Sequence, residues 1–294
     1  MFRSNSFYII YEVMIIDSHC HAWKIWPYLP QVPDPENHGS IELLLNKLTL
    51  NNVDLATIVC AEIFNNFNNN SYVYEKIKYY PDKFLQLADI DSMWSKTYHT
   101  KGATNRLENA LKKYNILGFT HYVAEEDDAS WFNSSEGLDF FKFANDNKLI
   151  ASLAIKPNHQ KELRKLAERF PNLNILCHHM SGLTVKNSKI KKNLIEVKES
   201  SKLDNIHLKF SGFHYVDKFH WKYPYDDSRW IFEECYNSFN KKMCWGSDFP
   251  VVQESMTYKQ TIEALRKNCN FIDVNDMNYI LGETLNNLIK MRFS

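Results

Sequence analysis

The chain has 294 residues, of which 44% are hydrophobic and 24% charged, and this is typical of a globular protein that can form one large barrel. Its 35 basic and 35 acidic residues balance, so no overall charge favours binding to nucleic acid or to an anionic membrane. The six cysteines form no C-x-x-C pair, which predicts free, buried thiols in a cytoplasmic protein. No stretch approaches the roughly 18 apolar residues that a membrane-spanning helix needs.

Residues 1–13 are predicted to be a short extension ahead of the folded core. They contain one basic residue, Arg3, and a short apolar run that ends at Glu12, which does not fit a signal peptide. The core is predicted to begin near Met14 and to continue to residue 294 as a single domain.

Eight short apolar stretches, rich in β-branched or aromatic residues, are predicted to be strands. The first begins near Met14, and the others span residues 55–61, 84–91, 116–123, 149–157, 173–180, 206–213 and 242–250. Helical patterns lie between them and begin near residues 40, 103, 137, 159, 227, 258 and 273. The asparagine-rich run 65–70 is predicted to be a solvated loop.

The alternation of strands and helices predicts an α/β fold, a (β/α)8 TIM barrel. A doubly wound open sheet is the alternative. It is disfavoured because no glycine-rich G-x-G-x-x-G turn follows the first strand.

Polar residues follow the predicted strands at the end where a barrel of this kind has its active site. His19 and His21 follow the first strand, and because residues i and i+2 of a strand share a side, both imidazoles can converge on one point. Later strands end with further polar residues: Thr120 and His121, His178 and His179, Lys209, and Asp248. A lone histidine there is usually structural, but agreement among four strand ends favours a functional site.

The sequence resembles the amidohydrolase superfamily, in its amidohydrolase-related (family 2) branch. The resemblance spans residues 14–252 and rests on five motifs in the family order: IDSHCHAW, GFTHY, CHHMSG, KFSG and WGSDFPV. The branch includes lactonases and zinc-dependent decarboxylases. The two histidines after strand one are a weak signal alone, but together with GSDFP after strand eight they are a strong one.

The resemblance implies a catalytic set of His19, His21, His179 and Asp248, in which Asp248 takes a proton from the attacking water. The same four residues would bind a divalent metal, zinc being the expected one, and a metal-free polar site stays open. His178 stands in the family's aspartate position. Strand alternation predicts that only one of His178 and His179 faces the barrel mouth, and His179 is the expected one.

Substrate contacts are predicted from residues at the strand ends and in the loops beside them: Trp23, Thr120, His121, His178, Lys209 and His214. Thr120 stands where lactonases of the branch usually have arginine. The substrate is therefore predicted to lack a carboxylate there, or to use another cation such as Lys209. A salt bridge at the barrel rim is the alternative role for Lys209.

The predicted function is hydrolysis of a lactone or a related cyclic ester. A zinc-dependent decarboxylase of the same superfamily and a catalytically silent binding barrel are the alternatives. The expected partner is a small-molecule substrate, with neither nucleic acid nor membrane. Assembly into a homo-oligomer stays open.

Overall fold

A computed structural model describes residues 13–294, so the predicted extension lies outside the described residues except for Val13. Eight parallel strands form a barrel in sequence order, and each is hydrogen-bonded to the next. The strands are β1 (Ile16–Cys20), β2 (Leu55–Val59), β3 (Phe84–Asp89), β4 (Gly118–Tyr122), β5 (Ile150–Ala154), β6 (Ile175–Cys177), β7 (Ile206–Phe210) and β8 (Met243–Trp245). The predicted (β/α)8 barrel is confirmed, and every strand falls on a predicted stretch.

The barrel closes between its last and first strands, just beyond the end of β8. The backbone N–H of Asp248 donates to the carbonyl of His19 at 2.7 Å, and the N–H of His21 donates to the carbonyl of Phe249 at 2.6 Å. This closure brings Asp248 beside the two histidines of β1, although more than 220 residues separate them in the chain.

Helices surround the barrel and alternate with its strands. They are α1 (Ile41–Leu50), α2 (Asn69–Ile77), α3 (Ala103–Tyr114), α4 (Ser135–Asp146), α5 (Gln160–Arg169), α6 (Ile190–Ser200), α7 (Phe213–Val216), α8 (Arg229–Phe239), α9 (Tyr258–Glu263), α10 (Val274–Asn278) and α11 (Thr284–Phe293). Ser40 caps α1 by accepting the N–H of Leu43, as its position before an apolar helical pattern favours. Within residues 13–294, no helix is long and apolar enough to cross a membrane.

The asparagine-rich run 65–70, predicted to be a solvated loop, is partly buried and leads into α2. The Asn69 amide accepts the N–H of Ala61 at 2.9 Å and donates to the carbonyl of Ala22 at 2.8 Å. Asn70 accepts the N–H of Asp89 at 2.8 Å and donates to its carbonyl at 2.9 Å. The prediction holds for residues 65, 67 and 68, which are exposed, and is wrong for Asn66, Asn69 and Asn70, which are buried. The amides of Asn69 and Asn70 satisfy backbone groups at the ends of three strands, a role that polarity alone does not reveal.

The interior of the barrel is apolar in its lower layer. Side chains from six strands and from residue 117 pack there against Leu285 and Leu288 of α11: Ile16, Val59, Leu87, Leu117, Ile150, Leu176 and Cys244. All six cysteines are buried and free, as predicted. The polar side chains that follow the strands lie at the opposite end of the barrel, beyond the carboxyl ends of the strands.

Candidate functional site

A bulge in β1 aims two histidines at the barrel mouth. The pairing of β1 with β2 shifts register between Asp17 and Cys20, and such a bulge redirects the side chains that follow it. Buried Asp17 fixes the local backbone by accepting the N–H groups of His19 at 3.1 Å and Ser247 at 2.9 Å. These bonds hold the ends of β1 and β8 together.

The structure brings His19, His21, His179 and Asp248 together. The Nε2 atoms of His19 and His21 are 3.3 Å apart, and each lies 3.6 Å from Oδ1 of Asp248. The Nε2 of His179 is 3.7 Å from the same oxygen. Three imidazole nitrogens therefore surround one carboxylate oxygen.

These separations fit a divalent metal ion. Tetrahedral zinc, with bonds of about 2.0–2.1 Å, places its ligand atoms about 3.3–3.4 Å apart. The nearest ligand atoms of His19, His21 and Asp248 all lie within 4.8 Å of one another, and those of His19, His178 and His179 do so as well. The Nδ1 of His21 lies 2.7 Å from the carbonyl of Val59, which only accepts, so Nδ1 carries the proton and Nε2 keeps its lone pair for a ligand.

The electrostatics of the cluster favour the protonation states that bind metals. Burial holds the pKa of His19 well below its usual value and lowers the pKa of His179 to about 4. Burial alone would raise the pKa of Asp248, but the surrounding histidines, His179 first, hold it below its usual value. At neutral pH the two imidazoles are therefore uncharged and the carboxylate is ionised, as metal ligation requires.

Both His178 and His179 face the mouth, so the prediction that only one does is wrong. Strand β6 ends at Cys177, and His179 has a φ of 43°, in the left-handed region. Alternation therefore stops before these residues. His178 Nε2 lies 2.7 Å from the hydroxyl of Ser152, and His179 Nδ1 lies 3.0 Å from that of Ser211.

Lys209 lies beneath the histidines, fully buried, and not at the rim. Its Nζ donates to the hydroxyl of Ser152 at 2.7 Å and is 3.2 Å from Nδ1 of His19. Burial lowers the pKa of Lys209 to about 7. Neither predicted role matches this position, because Lys209 forms no salt bridge with the described residues and does not line the cavity above the histidines.

Two predicted substrate contacts on β4 lie outside that cavity. Thr120 is buried inside the barrel, and its hydroxyl has no hydrogen-bond partner within residues 13–294. His121 points away from the interior because successive strand residues face opposite sides. Its Nδ1 lies 2.9 Å from the carbonyl of Ile90, and its ring stacks near Trp131 with centroids 5.5 Å apart.

Trp23 and His214 support the site from behind and do not line the cavity. The buried indole of Trp23 stacks on His21, with ring centroids 4.8 Å apart and planes 13° from parallel. The ring of His214 packs on Tyr215 in a tilted arrangement, with centroids 3.9 Å apart and planes at 47°. The prediction that these two side chains contact the substrate is therefore wrong. They contact His21 and Tyr215, which line the cavity.

The cavity above the cluster has a volume of about 460 Å3. Its polar and aromatic lining residues are His21, Tyr28, Tyr122, Glu125, Lys156, His178, His179, Thr184, Tyr215 and Asp248. The sequence motifs do not indicate a functional role for six of these residues: Tyr28, Tyr122, Glu125, Lys156, Thr184 and Tyr215. Among them, Tyr215 donates its hydroxyl to Oδ2 of Asp248 at 2.9 Å. Its only signal in the sequence is the high aromatic content of residues 213–225, which follow β7.

A second cavity, of about 560 Å3, lies beside α2 and α3. It is larger, but none of the clustered histidines lines it. The titratable groups that line this second cavity are carboxylates and cations, Glu62 and Asp89 among them, and its Arg106 already pairs with Asp91. We assign the functional site to the cavity of Asp248, because there three imidazole nitrogens surround one carboxylate oxygen.

Comparison with known proteins agrees with this architecture. A family model for amidohydrolases matches residues 16–268. No curated protein sequence matches the chain. Many solved structures share the fold, including that of a probable 2-pyrone-4,6-dicarboxylic acid hydrolase from Acinetobacter baumannii with citric acid bound. It is 19% identical, the match covers 95% of this chain and 99% of that one, and the TM-score is 0.73.

Two further solved structures are those of an amidohydrolase with bound zinc and of a decarboxylase. An amidohydrolase from Burkholderia multivorans with bound zinc is 13% identical and has a TM-score of 0.77, and the match covers 94% of this chain and 99% of that one. A 5-carboxyvanillate decarboxylase from Sphingomonas paucimobilis is 12% identical and has a TM-score of 0.64, with 95% and 99% covered. At such identities these matches establish a shared barrel fold.

Proposed function

We propose that this chain, which belongs to the amidohydrolase family and is an enzyme of that type, hydrolyses a lactone or a related cyclic ester. The observation that carries the proposal is the position of Asp248. Its Oδ1 lies 3.6–3.7 Å from three imidazole nitrogens, and the residue lines a cavity large enough for a small ring. The Acinetobacter neighbour supports the choice of substrate, since a 2-pyrone is itself a cyclic ester.

His19, His21, His179 and Asp248 would hold a divalent ion. Imidazole nitrogens and a carboxylate oxygen suit zinc, and the Burkholderia neighbour contains zinc. When bound, such an ion supplies a more acidic water and polarises the carbonyl group of the substrate.

The residues of the chain then move one proton and hold the reacting groups in place. Asp248 accepts a proton from the water as the water oxygen adds to the lactone carbonyl carbon. The hydroxyl of Tyr215 holds the carboxylate through Oδ2, so that Oδ1 keeps facing the histidines. When the ring C–O bond breaks, Asp248 returns the proton to the leaving ring oxygen, and the product is a hydroxy acid.

Replacement of Asp248 by asparagine tests the proposal. Asp248→Asn keeps the shape of the side chain and removes its proton affinity, so turnover on a panel of lactones should fall by about 10²–10⁴-fold. Asp82→Asn, at an exposed residue just before β3, is the matched control and should turn over normally. Near-normal turnover by Asp248→Asn, with circular dichroism unchanged, would show that another group activates the water.

Decarboxylation is the second candidate, and the Sphingomonas neighbour is the observation that favours it. The two reactions give different products, because a decarboxylase releases CO2 from an aromatic acid and a lactonase opens a ring without losing carbon. Incubation with hydroxylated benzoates and detection of CO2 separates them. Release of CO2 without any lactone hydrolysis would replace the proposed function.

A further inference from the structure

The wall of the cavity contains a single ammonium group. Lys156 follows β5, and it is the only lysine or arginine among the described residues that line the cavity of Asp248. Its side chain is 44% exposed, and within the part of the chain that the structure describes, the only carboxylate within ion-pair distance is that of Glu125, 4.0 Å away and 83% exposed. An ion pair so long and so hydrated contributes little, which leaves the ammonium group available to a ligand.

The turn after β6 is shaped to accommodate this lysine. Gly182 has a φ of 69°, and a Cβ atom there would lie 2.7 Å from Cδ and 3.5 Å from Nζ of Lys156. The missing side chain lets the lysine lie across the turn that begins with His178 and His179. The backbone of Lys156 is fixed as well, because its N–H donates to Nδ1 of His159 at 3.1 Å.

The other candidate cation and Thr120 are too deep to meet a substrate carboxylate. Lys209 is fully buried, and its Nζ is engaged with Ser152 and His19. Thr120 has no charge and does not line the cavity. The absence of arginine at position 120 therefore says nothing against an anionic substrate, since Lys156 supplies the positive charge at a different point of the wall.

We infer that Lys156 binds a carboxylate of the substrate, and that the site accepts carboxylated lactones in preference to neutral ones. The inference rests on the proposed function and specifies its substrate class. A charge-assisted bond from an ammonium group to a carboxylate is stronger than a neutral hydrogen bond, so this contact discriminates anionic from neutral rings. Of the two options that Thr120 leaves open, the inference favours a cation from elsewhere, with Lys156 in the place of Lys209.

Equilibrium binding tests this contact without requiring turnover. The probe is isophthalate, an unreactive planar dicarboxylate, titrated into the purified protein and followed by calorimetry. Loss of one charged hydrogen bond corresponds to about 10–100-fold weaker binding, which we expect for Lys156→Ala. Lys156→Arg should keep the affinity within a few-fold, and Lys161→Ala, at an exposed lysine of α5, should leave it unchanged. Equal affinity of wild type and Lys156→Ala for isophthalate would overturn the inference.

Kinetics on a matched pair of lactones completes the test. With coumalate and its methyl ester as substrates, Lys156→Ala should raise KM for coumalate by about 10–100-fold and leave KM for the ester nearly unchanged. If both lactones are hydrolysed and Lys156→Ala affects them equally, the inference fails and the proposed function stands. If wild type hydrolyses no lactone, the proposed function fails, and the isophthalate titration still decides whether Lys156 binds carboxylates.

Discussion

Two clusters of histidines in this protein have similar distances between their Nε2 atoms, but the ring nitrogens of the two clusters contact different groups. In the mouth cluster, His19, His21 and His179 surround Asp248. In the outer cluster, on the far side of β4, His99 and His121 lie near Asp127. The closest contact between two Nε2 atoms is 3.3 Å in the mouth cluster and 3.2 Å in the outer one.

The outer cluster uses its nitrogen atoms within the protein. Nδ1 of His121 lies 2.9 Å from the carbonyl of Ile90, and Nδ1 of His99 lies 3.3 Å from Oδ2 of Asp127. The rings are stacked, with His99 almost parallel to Trp131 at 6°. The two Nε2 atoms lie 3.2 Å apart, so all four ring nitrogens have partners within the protein. Among the described residues, this cluster does not bring three possible ligand atoms together as the mouth cluster does, so we assign it a structural role. A site needs several ring nitrogens directed at one point, not merely a short distance between two histidines.

The largest expected effect is on turnover and separates the clusters directly. His21→Gln removes a nitrogen directed at Asp248 and should lower lactone turnover by at least about 100-fold. This is the largest loss that is typical when a residue that only supports a metal ligand is replaced. His121→Gln should keep turnover within a few-fold of wild type. Steady-state rates on the same lactone, with circular dichroism to confirm folding, give the answer. A similar loss of turnover in both variants would contradict the distinction between the clusters.

The pH dependence of stability gives the next largest effect. Burial lowers the pKa of His121 from 6.5 to about 4. Above pH 6.5 the His121 ring is neutral in the folded and in the unfolded chain. Below pH 6.5 the unfolded chain binds a proton at this ring, and the folded chain does not. Stability is therefore lost as pH falls from 6.5 towards 4, by up to about 3 kcal/mol for this histidine.

The variant His121→Gln isolates that contribution, because Asp17 and Asp89, with pKa values raised by burial to about 6, act in the opposite direction. The free energy of unfolding in urea is measured for both proteins between pH 7 and pH 4.5. The variant should gain stability relative to wild type as the pH falls. A difference that does not change with pH would show that the pKa of His121 is the same in the folded and unfolded chains.

At neutral pH the same substitution has a smaller, destabilising effect. His121→Gln weakens the contacts with the Ile90 carbonyl and with His99, which should cost about 1–2 kcal/mol of unfolding free energy at pH 7.5. The control His220→Gln, at an exposed ring, should lie within about 0.5 kcal/mol of wild type. A loss in the control as large as that in His121→Gln would remove the structural role assigned to the outer cluster.

The sequence predicts the barrel and the mouth cluster well because both depend on local patterns with strong constraints. Short apolar stretches at regular intervals define the strands, and motifs at strand ends must meet at one edge of a parallel barrel. His19, His21 and Asp248 are therefore found from sequence before their contacts are known.

What the sequence misses depends on backbone detail and on contacts between distant segments. The direction of His179 follows from a left-handed φ just after β6, which the apolar pattern does not encode. Thr120 and His121 are neighbours in one motif, but alternation on β4 turns His121 outward. Lys156 is in no motif, and its position at the cavity becomes visible only when Gly182 is seen to leave space for it.

Zinc titration tests the central claim most directly, since that claim is that the mouth cluster converges on one metal ion. Protein stripped of metal is titrated with Zn²⁺ by calorimetry, as wild type, His19→Gln and His121→Gln. We expect wild type and His121→Gln to bind a single ion per chain, and His19→Gln to bind it far more weakly, by more than the roughly 10–100-fold typical of residues that only support a ligand. Wild type that binds no zinc, or His19→Gln that binds it as tightly as His121→Gln does, would contradict the account.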